Sequence, residues 1–448
     1  MSQETVLQTN VEPVTAEQLE KALAAGADYF AHQPSSQFDR CQQLLKLAQL
    51  FDDQAEQLGV QAAHDMHKRL VEGQQEAHAA ANIIRYYANN GPALLSPKPY
   101  VYGQNDAHAQ LEYDPLGIVL AVEPWNFPYT QVIRVLAPNY LAGNPVLLKP
   151  ARSVAGCAQA MVALTEKAGF PTGAFTSLNL SHDQVANVIG DDRIQGVAVT
   201  GSTAVGRHLA SLAGQNVKPS TLELGGSDAC LVLDDADLAT AILEMATSRL
   251  RNSGQTCTSA KRFIVRREVA DQVIDGLTKI FNRQTIGDPL DAATTLAPLA
   301  SKAGQERLTA QVKLALDHGA KALVKGGAVG ETGFQPTLLT NLTADNPASQ
   351  EEFFGPVAQL YVVDSDEEAI QVANSTPFGL AGSIFSQDLS RAKHLASRMA
   401  TGQVFINKGS SGIPELPFGG IKQSGYGREM SDLGILTFMN AKIVVLPD

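Results

Sequence analysis

Apolar residues recur at three- and four-residue steps over the first part of the chain. TAEQLEKALAAGADYFAHQ, the long pattern through LLKLAQLFDDQAEQL, and HAAANIIRYYANNG each carry an apolar stripe, which predicts helices over residues 15–96. From about residue 100 the pattern changes, and AHAQLEYDPLGIVLAV reads as two strands around a turn at Asp114-Pro115. Alternating units follow: strand GIVLAV, a helix over 129–142, strand PVLLK, helix VAGCAQAMVALTEKAGF, strand FTSLNL, short helix QVANVIG, strand GVAVTG and helix TAVGRHLASLAG. Strands that alternate with helices imply a parallel sheet covered on both faces, a doubly wound nucleotide-binding layout. The pattern repeats after Gly225-Gly226, with strand candidates ACLVL, FIVRR, LYVV and GSIF and helices at 237–251, 268–281, 303–318 and 366–374. The C-terminal FMNAKIVVLPD reads as an edge strand suited to pairing with another subunit.

Composition narrows the class. A chain of 448 residues exceeds one ordinary core, so two or three domains are expected. With 44% hydrophobic and 18% charged residues it reads as a soluble globular protein. The net charge of −12 and the absence of a dense Lys/Arg stripe argue against a nucleic-acid partner. The longest apolar runs have strand length, well short of the roughly 20 residues of a membrane span. The opening MSQETVLQTN lacks a signal-peptide core, which places the expectation in the cytoplasm. None of the four cysteines forms a CxxC pair, so no metal site is expected. Cys41 and Cys157 fall in helices and Cys230 in a strand, as small buried hydrophobes do.

Cys257 differs. In Gly254-Gln255-Thr256-Cys257-Thr258-Ser259 it stands among small polar residues at a helix end, poorly placed for packing and well placed to be reached. The alternatives are a nucleophile or a structural thiol. Thr221-Leu222-Glu223-Leu224-Gly225-Gly226 puts a carboxylate in an apolar strand before two glycines; burying it is costly unless it has a job or a strand-end salt bridge. Glu123-Pro124-Trp125-Asn126-Phe127-Pro128 directly follows a strand, at the end of a parallel sheet where ligands bind. Asn126 offers an amide donor for an oxyanion there, although by itself the segment reads as a proline-rich turn.

Together these segments resemble the aldehyde dehydrogenase superfamily over essentially the whole chain. The resemblance rests on PWNFP at 124–128, LLKPA at 147–151, TGSTAVGR at 200–207, ELGG at 223–226, GQTC at 254–257, EEFFGPV at 351–357 and PFGGIKQSGYGRE at 417–429. It implies Cys257 as nucleophile, Glu223 as general base and Asn126 as oxyanion donor. It implies a fold of two doubly wound α/β domains with a small bridging β element. These map to 1–97 and 117–225 for dinucleotide binding, 226–433 for catalysis, and 98–116 and 434–448 for oligomerisation as a homodimer or homotetramer.

No GxGxxG fingerprint is present. Instead Gly201, Ser202, Val205 and Gly206 open a helix after a strand, a favourable place for a pyrophosphate. The resemblance assigns these four residues, Trp125, Lys149, Leu224, Glu352 and Phe354 to the cofactor. Arg152 occupies a position where NAD-preferring members commonly carry glutamate, so NADP is expected over NAD; the alternative is an arginine facing solvent.

Arg134 lies eight residues after Asn126 and Arg251 six before Cys257. The resemblance to succinate-semialdehyde dehydrogenases implies that they bind a substrate carboxylate, with Ser411 adding a hydrogen bond; a structural ion pair is the competing reading. The alternatives are a neutral- or amino-aldehyde dehydrogenase, a CoA-acylating relative, which would generally lack the ELGG glutamate, and a non-catalytic binding protein on the same fold. Ser259 stands where some members have a second cysteine, so no local disulfide switch is expected.

Overall fold

A computed structural model describes residues 12–103 and 107–446. The architecture is α/β. Ser220–Glu223, Ile194–Thr200, Ile118–Glu123, Val146–Pro150 and Phe175–Ser177 lie side by side in that order as a parallel sheet. Ile118–Glu123 is buried along its whole length, which requires cover on both faces. Alternation divides its residues. Val119 and Ala121 enter a core shared with the helices Gln37–Asp53, Ala55–Met66, Leu70–Leu94, Thr130–Ala142 and Ala155–Ala168. Ile118, Leu120 and Val122 enter the opposite core, with Ala16–His32, His182–Gly190 and Thr203–Gln215.

The second sheet runs Lys321–Val324, Thr337–Thr340, Val357–Val363, Ala260–Arg266, Asp228–Val232, Ala381–Phe385, Gln403–Ile406, parallel except for its first strand. Lys98–Tyr102, Ala107–Pro115 and Met439–Val445 form a separate antiparallel sheet. Among the described residues no helix is long and apolar enough to cross a membrane.

Several expectations are corrected. Asp114 and Pro115 end a strand rather than form the turn; the chain turns just after them, where Gly117 has φ +135°. The strand in FTSLNL is only Phe175–Ser177. The long helical pattern after residue 36 breaks at Gln54, whose φ of −110° ends one helix and starts the next. Residues 434–436 belong to the helix Ser431–Leu436, so the last strand starts at Met439. Gly425–Tyr426, inside the 226–433 stretch, pairs antiparallel with Leu222 and Glu223 at the edge of the first sheet. The N-terminal MSQETVLQTN and the last two residues of FMNAKIVVLPD lie outside the described residues.

Candidate active site

The carboxyl ends of the first sheet carry Glu123, Thr200 and Glu223, each the last residue of its strand. Between Ile118–Glu123 and the helix at Thr130, Pro124 and Pro128 keep the chain out of helix. The intervening loop is gripped from behind. Lys68 Nζ donates to the Asn126 carbonyl at 2.8 Å and forms a buried ion pair with Glu76. The Glu76 carboxylate also accepts the N–H groups of Tyr129 at 2.8 Å and Thr130 at 3.1 Å. The buried Asn126 amide is oriented at both ends: Oδ1 accepts from Gln131 Nε2 at 3.0 Å, and Nδ2 donates to the Gln255 carbonyl at 3.0 Å. Asn126 thereby reaches the loop that bears Cys257.

That loop leaves the helix Leu238–Leu250 through Asn252, Ser253 and Gly254, with φ of 51°, 54° and 75°. Two successive non-glycine residues in the left-handed region cost of order 1–3 kcal/mol each and persist because neighbours impose them. Asn252 N donates to Glu72 at 2.9 Å, its side chain donates to the Asn126 carbonyl at 2.9 Å, and Ser253 Oγ donates to Ala297 O at 2.6 Å. At Gly254 a Cβ would lie 2.3 Å from the Gly355 backbone, so only glycine fits. Beyond the loop, the fully buried Lys261 Nζ donates to the carbonyls of Thr256 at 2.8 Å and Cys257 at 2.7 Å and lies 3.2 Å from Glu352 Oε1.

Cys257 is half-buried and free, whereas Cys41, Cys157 and Cys230 are buried. Desolvation pushes its thiol up to about 11, while the charges of Lys261 and Arg134 pull the other way. Glu223 is 3% exposed, and neither of its carboxylate oxygens has a hydrogen bond. Desolvation, then the charge of Glu429, raise its carboxyl well above the usual range; Arg134 and Arg428 oppose them.

The structure places Arg134 and Arg251 differently. Arg134 is 9% exposed, with its guanidinium over the Phe418 ring and Nε 2.9 Å from Glu429 Oε2, so the ion pair posed as the competing reading is present. Arg251 is exposed and stacks 5.1 Å from the centroid of Phe127, beside Asn126. Ser411 is exposed, and the neighbouring Ser410 instead contacts the loop of Cys257, donating to Thr258 O at 2.5 Å.

On the other side, Ser202 caps the helix Thr203–Gln215, its Oγ accepting the Val205 N–H at 3.4 Å, and Val205 is exposed at the helix start. Gly206 lets Leu224 pack closely; a Cβ there would sit 2.5 Å from its side chain. Lys149, half-buried, is the last residue but one of the strand Val146–Pro150, and Arg152 opens a turn just after that strand with its side chain exposed. Desolvation and then the Arg152 charge depress the Lys149 ammonium, a mutual repulsion that a bound anion would relieve. Glu352 Oε1 accepts the Gly226 N–H at 3.2 Å, and Phe354 meets Trp125 edge-on at 5.7 Å. The helix start at Ser202, two adjacent cations and an aromatic wall fit a dinucleotide phosphate chain and its nicotinamide.

Lys68, Glu76, Lys261, Glu123 and Glu429 were not singled out from sequence. Two of them carried a signal, a charge in an apolar pattern. Glu76 lies on the buried stripe of its helix with Gly73, Ala77, Ala80 and Ala81, and Glu123 ends a strand of wholly buried residues.

Residues 2–444 match the profile of the aldehyde dehydrogenase family. The chain is similar to a succinate-semialdehyde dehydrogenase [NADP(+)] of Deinococcus radiodurans, 42% identical over 91% of this chain and 85% of that protein. A protein of the same description from Mycobacterium avium is 38% identical over 96% of this chain and 93% of its own length. Among solved structures, succinic semialdehyde dehydrogenase from Streptococcus pyogenes, in complex with NADP+, superposes with a TM-score of 0.96 at 41% identity, covering 99% of this chain and 97% of that one.

Proposed function

The chain belongs to the aldehyde dehydrogenase family, and from that premise we propose that it oxidises succinate semialdehyde to succinate, with NADP+ preferred over NAD+. The observation that carries the substrate is Arg134. Against the desolvation of burial, Glu429, Glu223, Cys257 and Glu123 keep its guanidinium pKa above the usual value, so a permanent cation stands in the field of the nucleophile. Glu429 engages Nε, and the guanidinium has further N–H donors for a substrate carboxylate. Arg251, held on Phe127, supplies a second cation on the Asn126 side. Ser411 has no contact that supports its assignment, and Ser410 is the better candidate for shaping the Cys257 loop. The relatives' substrate and cofactor agree with this reading.

The Cys257 thiolate, favoured by Lys261 and Arg134 against desolvation, attacks the aldehyde carbon. The oxyanion is received by Asn126 Nδ2 and the Cys257 backbone N–H. A bound nicotinamide would supply the hydride acceptor, and Trp125, Glu352 and Phe354 would hold its end of the cofactor. Gly201, Ser202, Val205, Gly206 and Leu224 would hold the phosphate and adenine end, and Lys149 with Arg152 would receive the ribose and its 2′-phosphate. Departure of hydride from the adduct carbon, as its oxyanion re-forms the carbonyl, leaves Cys257 as a thioester. Glu223 takes a proton from water as the water oxygen attacks the acyl carbon, and the C–S bond breaks to free the thiolate.

Residues 1–97 and 117–225 serve as the cofactor domain and 226–433 as the catalytic domain. The segments 98–116 and 434–448 join subunits of a cytoplasmic homodimer or homotetramer; exposed Tyr100, Val101, Ile443 and Val445 on that small sheet support this. The test is reduced-cofactor formation with succinate semialdehyde and with butanal, each with NADP+ and NAD+. Preference for the semialdehyde, weakened in Arg134→Ala and Arg251→Leu, supports the substrate; preference for butanal refutes it and leaves the chemistry standing.

A further inference from the structure

Three polar side chains form a row across three adjacent parallel strands. Thr200 is in register with Glu223, and one step beyond the Val122–Val199 pair Glu123 stands beside Thr200 on its other side. Residues in register point to the same face of a sheet, so the Thr200 side chain lies between those of Glu123 and Glu223, on strands about 5 Å apart. All three are buried: Glu123 is 2% exposed, Glu223 3% and Thr200 7%. Neither carboxylate has a well-formed hydrogen bond on either oxygen, and the Thr200 hydroxyl has none. Glu429, 6% exposed, adds a third carboxyl, and Arg134 is the cation that pairs with it.

Facing Glu123 are Glu429 from the segment at the edge of the first sheet, Arg134 from the helix Thr130–Ala142, and Thr200. Facing Glu223 are Glu429, Arg134, Arg428 and Glu123. Buried carboxylates that outnumber their counter-ion cannot all be ionised; a proton is shared among them.

We propose that Glu123 is a positioning residue for the hydrolytic step: it exchanges a proton with Glu223 through the Thr200 hydroxyl. When Glu223 has taken a proton from the attacking water, it passes that proton to Thr200 Oγ1 while the hydroxyl's own proton moves to the Glu123 carboxylate. Glu223 returns to its ionised form, Thr200 is unchanged, and Glu123 becomes the neutral acid, which gives its proton up to water before the next turnover. The desolvation and Glu429 charge that raise the Glu123 carboxyl well above the usual range make it a receptive store. The exchange leaves the earlier steps alone, because neither thiolate attack nor hydride departure needs a proton at Glu223. This rests on the reading of Glu223 as the base for hydrolysis.

The experiment compares the pre-steady-state burst of reduced cofactor with steady-state kcat across pH 6 to 10 for wild type, Glu123→Gln, Thr200→Val, Thr200→Ser, the Glu123→Gln/Thr200→Val pair and Glu223→Gln. The expected result is an unchanged burst with kcat about tenfold lower and an altered pH profile in Glu123→Gln and Thr200→Val, no further loss in the double variant, and recovery in Thr200→Ser. A wild-type kcat profile in Glu123→Gln overturns the proposal, as does a double variant that loses the product of the single effects. A wild-type kcat in Glu223→Gln overturns instead the assignment of Glu223 as base. A burst lost together with kcat in Glu123→Gln identifies a structural role and also overturns the proposal.

Discussion

Lys68→Met offers the sharpest test of how the site is held. Lys68 and Glu76 are each 1% exposed in their side chains, so the substitution leaves a carboxylate buried without its cation. Removing one partner of such a pair costs about 3–5 kcal/mol. Glu76 keeps the N–H groups of Tyr129 and Thr130, and the Asn126 carbonyl keeps Asn252 Nδ2, which places the expectation at the lower end, about 3 kcal/mol. For a chain of 448 residues, with an unfolding entropy of about 2.1 cal/mol/K per residue, that is a fall in Tm of about 3 °C. Replacing both partners, Lys68→Met with Glu76→Gln, removes the orphaned charge and recovers most of the loss. Thermal unfolding at pH 7.5 measures the single variants and the pair. A Lys68→Met protein within about 0.5 kcal/mol of wild type would refute the argument that this ion pair anchors the Asn126 loop.

The free enzyme's Cys257, with its thiol near 11, is expected to be alkylated by iodoacetamide about tenfold faster per pH unit between pH 7 and 10; a rate that levels off near pH 8 contradicts the desolvated thiol. Lys261→Met, which removes the cation favouring the thiolate, should slow alkylation at pH 9, and an increase would contradict its role. Arg152→Glu should lower the NADP+/NAD+ ratio of kcat/KM by about tenfold or more, corresponding to loss of a charge-assisted bond of about 1.5–3 kcal/mol; an unchanged ratio means that Arg152 faces solvent. Asp228, 3% exposed, is raised by desolvation from 3.8 to about 7. The folded state therefore keeps a proton that the unfolded state releases, and its stability falls as pH rises from about 4 to 7. Asp228→Asn should remove that fall, giving a larger gain in Tm at pH 8 than at pH 5; an equal gain at both argues against the raised carboxyl.

Sequence periodicity located most of the fold because a strand buried on both faces must be continuously apolar and its covering helices must be striped. It passed over Thr337–Thr340 and Gln403–Ile406, where short strands are specified by neighbours rather than by their own pattern. The motif residues Cys257, Glu223 and Asn126 were legible, and the structure brings their loops together. What holds them was not. Lys68 is far from Asn126 along the chain, and the environment of Arg134 depends on Glu429, almost three hundred residues later. Ser410 rather than Ser411 touches the Cys257 loop, a one-residue difference in an irregular segment that no period fixes.

The pairing of Gly425 with Glu223 also bears on synthesis of the protein. Cys257 and Glu223 leave the ribosome well before the segment carrying Gly419, Gly425 and Glu429, which closes over Glu223. A nascent chain released short of residue 425 would contain Cys257, Glu223 and Asn126, yet its Arg134 would lack Glu429 and its first sheet would have an open edge beside Glu223. Competence to turn over substrate is thus gained only near the end of translation, and incomplete chains carry a cysteine without the surroundings that direct it.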